Sequence, residues 1–379
     1  MKPIKICFVS LYAYHYFNPE IKSQFGGAEL QLYYLAIELT KDKNFDVHFV
    51  VGDFGQPDFE VRQNVKLYKF FNPKKGLKYI RAFASFLRLW RLLKKINADL
   101  YIQRAAGLET GEVALFCKAY GKKFVYMVAH DEDVMGVKPS FFQRGIIGFV
   151  RWKLFRFGLK IASLVIVQHE EQKKNLKRFY DKEGIVRKSA HKIPEQIDVS
   201  QKEYVLWVAR CVDWKQPEIF INLAQAFPKE IFIMACPFSN DQNYFQKINK
   251  SAQQIKNIEF IDYVPFNKID DYFLKAKIFV NTSKTEGFPN TFVQAAKNRT
   301  PILSLNVNPD GILEKYKIGI NAGGSFEILK QGLSKLLGNQ ELWNEMSENA
   351  YKYAKENHDI KKIIEEDKKI ILNLLKPCL

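Results

Sequence analysis

The residues best suited to do chemistry follow apolar runs of the sequence. Arg210 and Lys215 lie five positions apart, directly after the run Tyr204–Val208. Two cations at such a position favour a diphosphate, because arginine offers a planar fork of donors and lysine a point charge. Lysine and arginine side chains are also the usual occupants of a solvated surface. Their place after a predicted strand favours the binding role.

A second group surrounds a predicted helix start that follows the run Ile278–Val280. Gly287 allows the turn, and Pro289 suits a helix start because its missing N–H is not needed there. Glu286 and Gln294, eight positions apart, can both bond sugar hydroxyls, and we expect Gln294 two turns into the helix. A carboxylate at a helix start also complements the helix dipole without any ligand. The backbone N–H groups expected to face an anion are those of Phe288, Asn290 and Thr291.

Two further candidates lie in the first half. Gly26 and Gly27 open a predicted helix over Leu30–Thr40, where glycines let a ligand approach the backbone, although a plain tight turn needs them equally. His130 follows the predicted strand Phe124–Val128. The sequence has neither the Gly-x-Gly-x-x-Gly nor the P-loop pattern, which argues against a nicotinamide cofactor and against a P-loop kinase or ATPase.

Alternating short strands and helices must position these residues. Apolar runs separated by amphipathic, helix-length segments are typical of βαβ units and parallel sheets. Continuous apolarity suits strands that are buried on both faces. We expect two series of five strands, and therefore two doubly wound domains with a ligand cleft between them. The expected strands are Ile4–Val9, Val47–Val51, Leu100–Gln103, Phe124–Val128, Leu164–Gln168, Tyr204–Val208, Ile231–Ala235, Glu259–Ile261, Ile278–Val280 and Ile302–Leu305.

The length of 379 residues suits two or three domains at about 150 residues each. The polar stretch Lys192–Lys202 contains Pro194 and marks a boundary. We expect one domain over residues 1–197 and another over 198–357. The charged amphipathic helix Ile360–Leu375 has no strand after it, and we expect the segment 358–379 to cross back onto the first domain.

These motifs together resemble the GT-B glycosyltransferases, specifically the retaining nucleotide-sugar transferases of family 4, or group 1. The resemblance covers about residues 10–350. It implies an α/β fold of two Rossmann-like, doubly wound parallel-sheet domains facing across a cleft, with the acceptor on the first and the donor on the second. The motifs that carry it are Gly26-Gly27-Ala28-Glu29, Arg210 with Lys215-Gln216-Pro217-Glu218, and Glu286-Gly287-Phe288-Pro289-Asn290.

The resemblance also implies a role for each matched residue. Arg210 and Lys215 would hold the donor pyrophosphate and stabilise the leaving nucleoside diphosphate, and Glu286 would contact the transferred sugar. Gln294 stands where the family usually has a second glutamate for the ribose, and an amide still bonds ribose hydroxyls. His130 would contact the donor sugar. The other expected donor contacts are Gly26, Gly27, Gly287, Phe288, Pro289, Asn290 and Thr291.

No cofactor beyond the nucleotide-sugar co-substrate is expected. The carboxylates of Asp131, Glu132 and Asp133 look like a metal site in isolation. A polar loop is favoured, because family members resemble metal-independent catalysts in which Arg210 and Lys215 would neutralise the diphosphate. We therefore expect no metal, and we assign no catalytic base.

Basic charge is concentrated in the first half of the chain. The net charge is +17, and residues 1–200 account for +14 of it. Residues 74–96 and 138–160 carry eight and six cations with aromatic residues between them and no acidic residue. Solvated helix faces would explain the amphipathic pattern, whereas an anionic membrane surface also explains the missing acids. The expected membrane or acceptor contacts are Lys74, Lys78, Arg81, Arg88, Trp90, Arg91, Arg151, Trp152 and Arg156.

We therefore expect a hexosyl- or N-acetylhexosaminyltransferase that serves surface polysaccharide or glycoconjugate synthesis. It would act on a glycan or lipid-linked glycan at the cytoplasmic membrane face, without nucleic acid. No apolar run approaches the roughly 20 residues that span a bilayer, and the N-terminus lacks the features of a signal peptide. The protein is expected to be cytoplasmic and peripherally bound to the inner face. The alternatives are a catalytically silent membrane-binding subunit that regulates a partner transferase, and a GT-B nucleotide-sugar epimerase.

Overall fold

The structure is a computed structural model that describes residues 2–21, 26–70, 78–136, 145–239 and 241–376. The chain divides into two compact units, Met1–Ala190 with Lys361–Leu379 and His191–Ile360. The division falls seven residues before the expected boundary at 197/198. The reason is that the His191 N–H donates to the His358 carbonyl at 2.8 Å, so this stretch is already tied to the second unit.

The first unit contains an eight-stranded sheet in the order β3-β4-β2-β1-β5-β6-β7-β8. All neighbouring strands are parallel except the β3–β4 hairpin at one edge. The strands are β1 Ile4–Val9, β2 Phe45–Val51, β3 Phe59–Arg62, β4 Val65–Lys69, β5 Leu100–Arg104, β6 Lys123–Met127, β7 Leu164–Val167 and β8 Gly184–Val186. The helices are α1 Tyr14–Phe17, α2 Gly27–Leu39, α3 Lys78–Ile96, α4 Leu108–Ala119, α5 Gly145–Ile161 and α6 Glu170–Tyr180.

The second unit contains a six-stranded parallel sheet in the order β11-β10-β9-β12-β13-β14. The strands are β9 Tyr204–Val208, β10 Phe232–Ala235, β11 Ile258–Ile261, β12 Ala276–Asn281, β13 Ile302–Ser304 and β14 Gly319–Asn321. The helices are α7 Pro217–Ala226, α8 Gln242–Gln253, α9 Ile269–Lys275, α10 Asn290–Lys297, α11 Ile312–Lys315, α12 Phe326–Gly338 and α13 Gln340–Asn357.

The expected parallel α/β architecture is confirmed, and all ten expected strands are present. The expectation of five strands in each sheet is wrong, because β3, β4, β8 and β14 were not anticipated. The β3–β4 hairpin turns at Gln63 and Asn64, both with positive φ, and lacks the glycine that usually signals such a turn. The strands β8 and β14 have only three residues each, too few for a recognisable period.

The last helix, α14 Ile360–Leu375, has the bounds expected from the sequence. It packs against the first unit, where Asp367 pairs with Arg187 and Lys368 lies 3.3 Å from Asp42. The segment Lys361–Leu379 is therefore part of the first unit. Among the residues that the structure describes, no helix is long and apolar enough to cross a membrane.

Helices α4 and α5 approach each other through two glycines. A Cβ on Gly158 would lie 2.7 Å from the Thr110 carbonyl oxygen, and a Cβ on Gly111 would lie 2.5 Å from the Leu154 carbonyl oxygen. We expect Gly158→Ala to lower the free energy of unfolding by about 1–3 kcal/mol through overpacking, although alanine favours a helix by about 1 kcal/mol. Urea unfolding measures this change.

The matched control is Gly338→Ala at the end of α12, where an added Cβ meets no atom within 4 Å. This variant should be at least as stable as the original protein, because it gains helix propensity without any close contact. Equal stability of Gly158→Ala would contradict the close helix contact.

Candidate active site

The candidate site of the second unit lies where the chain leaves β9 and β12. These strands are neighbours at the point where the strand order reverses, the usual ligand position in an open α/β sheet. The Thr282 hydroxyl donates to the Lys215 carbonyl at 2.6 Å and accepts from the Trp207 indole N–H at 2.8 Å. The Lys284 N–H donates to the Trp214 carbonyl at 2.8 Å. These bonds fix the two loops against each other.

The two loops bring Lys215 and Glu286 into a buried ion pair. Lys215 Nζ lies 2.7 Å from Glu286 Oε2, and the side chains are 11% and 16% exposed. Glu286 Oε1 accepts from Asn281 Nδ2 at 2.9 Å and from Ser283 Oγ at 2.7 Å. The Lys215 ammonium also lies 4.3 Å from the centre of the Trp214 ring. The sequence predicted both charged residues, and the structure adds their mutual contact.

The pKa of Glu286 is lower than usual. Burial is the largest single influence and raises this pKa. The Lys215 charge and the hydrogen bonds from Lys215, Asn281 and Ser283 lower it, and their combined effect is greater than that of burial. Burial also lowers the pKa of Lys215, and Arg210 acts in the same direction while Glu286 opposes both. Glu286 is therefore an ionised acceptor, suited to sugar hydroxyls.

Arg210 follows β9 and completes the charge of the site. Its side chain is half-buried and makes no ion pair with any described residue. It lies near enough to Lys215 to lower that residue's pKa. Arg210, Lys215 and Glu286 together carry a net charge of one positive unit, which suits an anionic ligand.

Helix α10 begins directly after the Glu286 turn. Pro289 is its N-cap residue, and Asn290 Oδ1 lies 3.2 Å from His191 Nε2. The Phe288 ring is buried and its centre lies 5.2 Å from that of His358. Gln294 is the fifth residue of α10, just over one turn from its start, so the expectation of two turns is wrong. Gly287 and Thr291 flank this helix start in the sequence.

The Gln294 side chain is 8% exposed. The backbone carbonyl of Gln294 accepts a hydrogen bond from the Asn298 side-chain amide. The side-chain amide of Gln294 makes no hydrogen bond to another residue in the described ranges. Polar side chains that are this buried normally have partners. Gln294 therefore has donor and acceptor capacity to spare for a ligand.

In the first unit, His130 follows β6 and is the N-cap residue of a short 3₁₀ turn, Asp131–Asp133. Asp133 Oδ2 accepts from the Tyr126 hydroxyl at 3.0 Å and from the Ala129 and His130 N–H groups at 3.0 and 3.2 Å. Burial raises the pKa of Asp133, and the two backbone N–H groups act against it. Asp133 therefore holds the loop that positions His130.

The neighbouring Asp131 is also engaged within the protein. Its Oδ1 lies 2.9 Å from His169 Nε2 and accepts from Gln172 Nε2 at 2.9 Å. Within the described ranges, no group of three or more histidine, cysteine, aspartate or glutamate side chains is arranged to hold a metal ion.

Of the two glycines at the start of α2, Gly26 has an observable structural role. Gly26 is the N-cap residue and Gly27 the first helical residue. The Glu29 carboxylate folds back onto Gly26 so closely that any Cβ there would collide with it. The Tyr16 hydroxyl donates to the Gly26 carbonyl at 2.9 Å. The glycine therefore leaves room for Glu29, in addition to any ligand contact.

Sequence reasoning missed Arg104, the last residue of β5. It is 6% exposed, and its Nε has no hydrogen-bond partner among the described residues. The pKa of Arg104 is lowered to about 10. Burial is the largest cause and the charge of Arg187 the second, while the charge of Glu29 raises this pKa. The signal in the sequence was an arginine at the end of an apolar run. The structure places this run beside β1, at the switch point of the first sheet.

The expected membrane contacts have different surroundings. Arg88 and Arg91 are exposed on α3. Trp90 instead packs edge-on against Phe116 at 5.4 Å and is partly buried. Lys74 lies outside the described residues, as do the side chains of Lys78 and Arg81, although both belong to α3.

The α5 residues expected at the membrane also differ. Burial raises the pKa of Glu112 to about 8, and Arg151 counteracts this shift, as it does for Glu109. Arg151 therefore lies near two α4 carboxylates and is not an isolated surface cation. Trp152 is partly buried against the core, and the Arg156 guanidinium lies 5.1 Å from its ring centre.

Comparisons with known proteins cover both units. The Glycosyl transferases group 1 model matches residues 189–353, and the Glycosyltransferase Family 4 model matches residues 25–201. An uncharacterized glycosyltransferase of Methanocaldococcus jannaschii is 24% identical over 95% of this chain and 97% of its own. The alpha-monoglucosyldiacylglycerol synthase of Acholeplasma laidlawii is 27% identical over 48% of each chain.

The fold is similar to that of a solved sucrose-phosphate synthase from Thermosynechococcus elongatus. The TM-score is 0.78 at 15% identity, over 98% of this chain and 99% of that one. The two family models follow each other along the chain in the order of its two parallel-sheet units. The chain therefore belongs to the group 1, or family 4, glycosyltransferases and has the GT-B fold.

Proposed function

We propose that this glycosyltransferase moves a hexosyl or N-acetylhexosaminyl group, with retention, from a nucleoside-diphosphate-sugar to a glycan or lipid-linked glycan. The reaction would take place at the cytoplasmic membrane face, in surface polysaccharide or glycoconjugate synthesis. The observation that carries the proposal is the cationic site of Arg210, Lys215 and Glu286 at the switch point of the second sheet.

The charges of this site match the demands of the reaction. Departure of the nucleoside diphosphate places negative charge on the β-phosphate, while the sugar becomes oxocarbenium-like. Preorganised cations stabilise that charge more in the transition state than in the ground state. Arg210 and Lys215 take this role in the proposal without a metal ion, and Glu286 holds the sugar hydroxyls. His130 of the first unit contacts the donor sugar, and no protein base is assigned.

The proposed membrane location rests on two supports. The net charge of +14 over residues 1–200 attracts anionic surfaces. The similar Acholeplasma laidlawii protein is named as a synthase of a glucosylated diacylglycerol, so its product is a lipid. A membrane-associated acceptor accounts for both.

We expect Gln294→Glu to tighten binding of the preferred nucleoside diphosphate by about five- to tenfold. A carboxylate accepts bonds from both ribose hydroxyls, and hydrogen bonds to a charged group contribute about 1 kcal/mol more than neutral ones. Isothermal titration calorimetry measures the dissociation constant. The matched variant Gln294→Leu should weaken binding, and no change in either variant would remove Gln294 from the ribose contact.

The experiment that tests the proposal supplies UDP-, GDP- and ADP-sugars, labelled in the sugar, together with membranes from the organism that makes the protein. We expect one donor to transfer its label to a membrane-bound product that organic solvent or detergent extracts. Label released only as free sugar would contradict the proposed acceptor. Failure of every donor, with folded protein, would instead favour the silent regulatory subunit.

A further inference from the structure

A pocket of the first unit lies at the ends of α5 and α6. Its volume is about 320 Å³, and three cations contribute to its lining, Arg156, Lys160 and Arg178. Since α5 leads into β7 and α6 into β8, the pocket lies at the amino-terminal edge of the sheet. It is therefore at the opposite edge from the carboxyl ends of β5 and β6, where Arg104 and His130 lie.

The lining of this pocket keeps a net positive charge, with three cations and one carboxylate. None of the three cations forms an ion pair with a described residue. The lining carboxylate, Asp181, is held by Lys177 at 3.0 Å. Lys182 donates to the carbonyls of Lys160 and Ala162 at 3.0 and 2.6 Å. Because Lys182 bonds these carbonyl groups at the end of α5, Arg156, Lys160 and Arg178 remain available to bind an anion.

Arg156 is held in an orientation that suits phosphate. Its guanidinium carbon lies 5.1 Å from the Trp152 ring centre and 5.4 Å from the Tyr180 ring centre. Contact of a guanidinium with aromatic faces orients the group while its N–H donors stay at its edge. Arginine held in this way binds phosphate oxygens with two parallel bonds.

The surroundings of the pocket favour a lipid over a free anion. Phe149, Lys153, Arg156 and Lys160 recur at helical spacing and share one face of α5. Phe149 is 48% exposed, and Phe179 at the pocket itself is 39% exposed. Exposed aromatic side chains among cations are typical of a surface that lies at the headgroup and acyl boundary of a bilayer.

We propose that this pocket binds the phosphate of an anionic phospholipid headgroup. The inference rests on the proposed function, because it names what the first unit recognises at the membrane. Arg156 provides the bidentate contact, Lys160 and Arg178 add charge, and Phe149 and Phe179 contact the acyl boundary. Long-range attraction by the basic half brings the protein to the surface, and the pocket fixes its orientation there.

The test measures binding of the full-length protein to vesicles of equimolar phosphatidylglycerol and phosphatidylcholine by cosedimentation. Lys160→Gln/Arg178→Gln should bind about thirtyfold more weakly, at about 1 kcal/mol per cation. Lys2→Gln/Lys43→Gln removes the same charge from exposed positions of the same unit and should bind like the original protein. Arg156→Lys keeps the charge but loses the fork, and should bind several-fold more weakly.

Each outcome separates this inference from the proposed function. If Arg156→Lys binds like the original protein, or if the two double variants lose affinity equally, diffuse charge alone is responsible and the pocket is excluded. If the unaltered protein does not bind these vesicles, the membrane location itself fails. Competition by soluble glycerol phosphate that matches the lipid in affinity would identify a free phosphate as the ligand and overturn the lipid assignment.

Discussion

Lys215→Met should reduce sugar transfer by about 10²–10³-fold, the cost of removing one preorganised charge-stabilising group. The Lys215 ammonium is buried beside Glu286 and lies over the Trp214 ring. Methionine keeps an apolar chain in contact with that ring and removes only the charge. Glu286 remains held by Asn281 and Ser283. The loss should therefore appear in turnover with an intact fold, measured as release of nucleoside diphosphate.

The pH dependence of this variant gives an independent reading. The Lys215 charge is the largest influence that lowers the pKa of Glu286, and burial raises it. Without the ammonium this pKa must rise. If ionised Glu286 binds the sugar, the acid side of the activity profile should move to higher pH in Lys215→Met.

The matched control is Lys284→Met, which removes an exposed cation from the neighbouring loop. It should transfer sugar within about twofold of the original protein, since exposed charges contribute little. Lys215→Met with unchanged turnover and an unchanged pH profile would exclude Lys215 from charge stabilisation.

Asp367→Ala should destabilise the first unit by about 3–5 kcal/mol, as expected when one partner of a buried ion pair is removed. Asp367 on α14 accepts from Arg187 through both carboxylate oxygens, and the two side chains are 3% and 2% exposed. Arg104 lies close enough to lower the pKa of Asp367, and Arg187 in turn lowers the pKa of Arg104. Replacing the Asp367 side chain with a methyl group would leave Arg187 and Arg104 in a buried region without their carboxylate. Urea unfolding measures the change.

Two variants test the interpretation of that loss. Arg187→Met/Asp367→Leu removes the ion pair and leaves only Arg104 without the carboxylate, instead of two arginines, so it should recover part of the stability. Glu345→Ala removes a carboxylate that pairs with Lys317 at 3.0 Å on the surface, and should cost less than about 1 kcal/mol. Asp367→Ala within 1 kcal/mol of the original protein would contradict the assigned role of the pair.

Local sequence patterns predicted the elements with strong apolar character. The strand β9 and the helix α14 have the expected bounds, because β9 is a continuous apolar run, α14 has a clear helical period, and polar residues flank both. The strands β3, β4, β8 and β14 were missed because β8 and β14 have three residues each and β3 and β4 are only partly buried. Burial on one side of an edge strand leaves little apolar signal.

The candidate site was predicted residue by residue but not as a set of contacts. Lys215 and Glu286 were chosen from separate loops, and their ion pair depends on β9 lying beside β12. Arg151 was assigned to the membrane because its own segment lacks acids, whereas the carboxylates near it come from α4. Contacts between distant segments decide such environments, and a local charge pattern does not contain them.

The most direct test of the donor site is thermal unfolding with UDP, GDP, ADP and CMP in turn. At 100 times its dissociation constant, a ligand stabilises the folded protein by about 2.7 kcal/mol, which raises the midpoint by several degrees. We predict a shift with one nucleotide that Arg210→Ala abolishes, and that nucleotide identifies the base of the donor. No shift with any nucleotide, or an equal shift in Arg210→Ala, would contradict a donor site built on Arg210, Lys215 and Glu286.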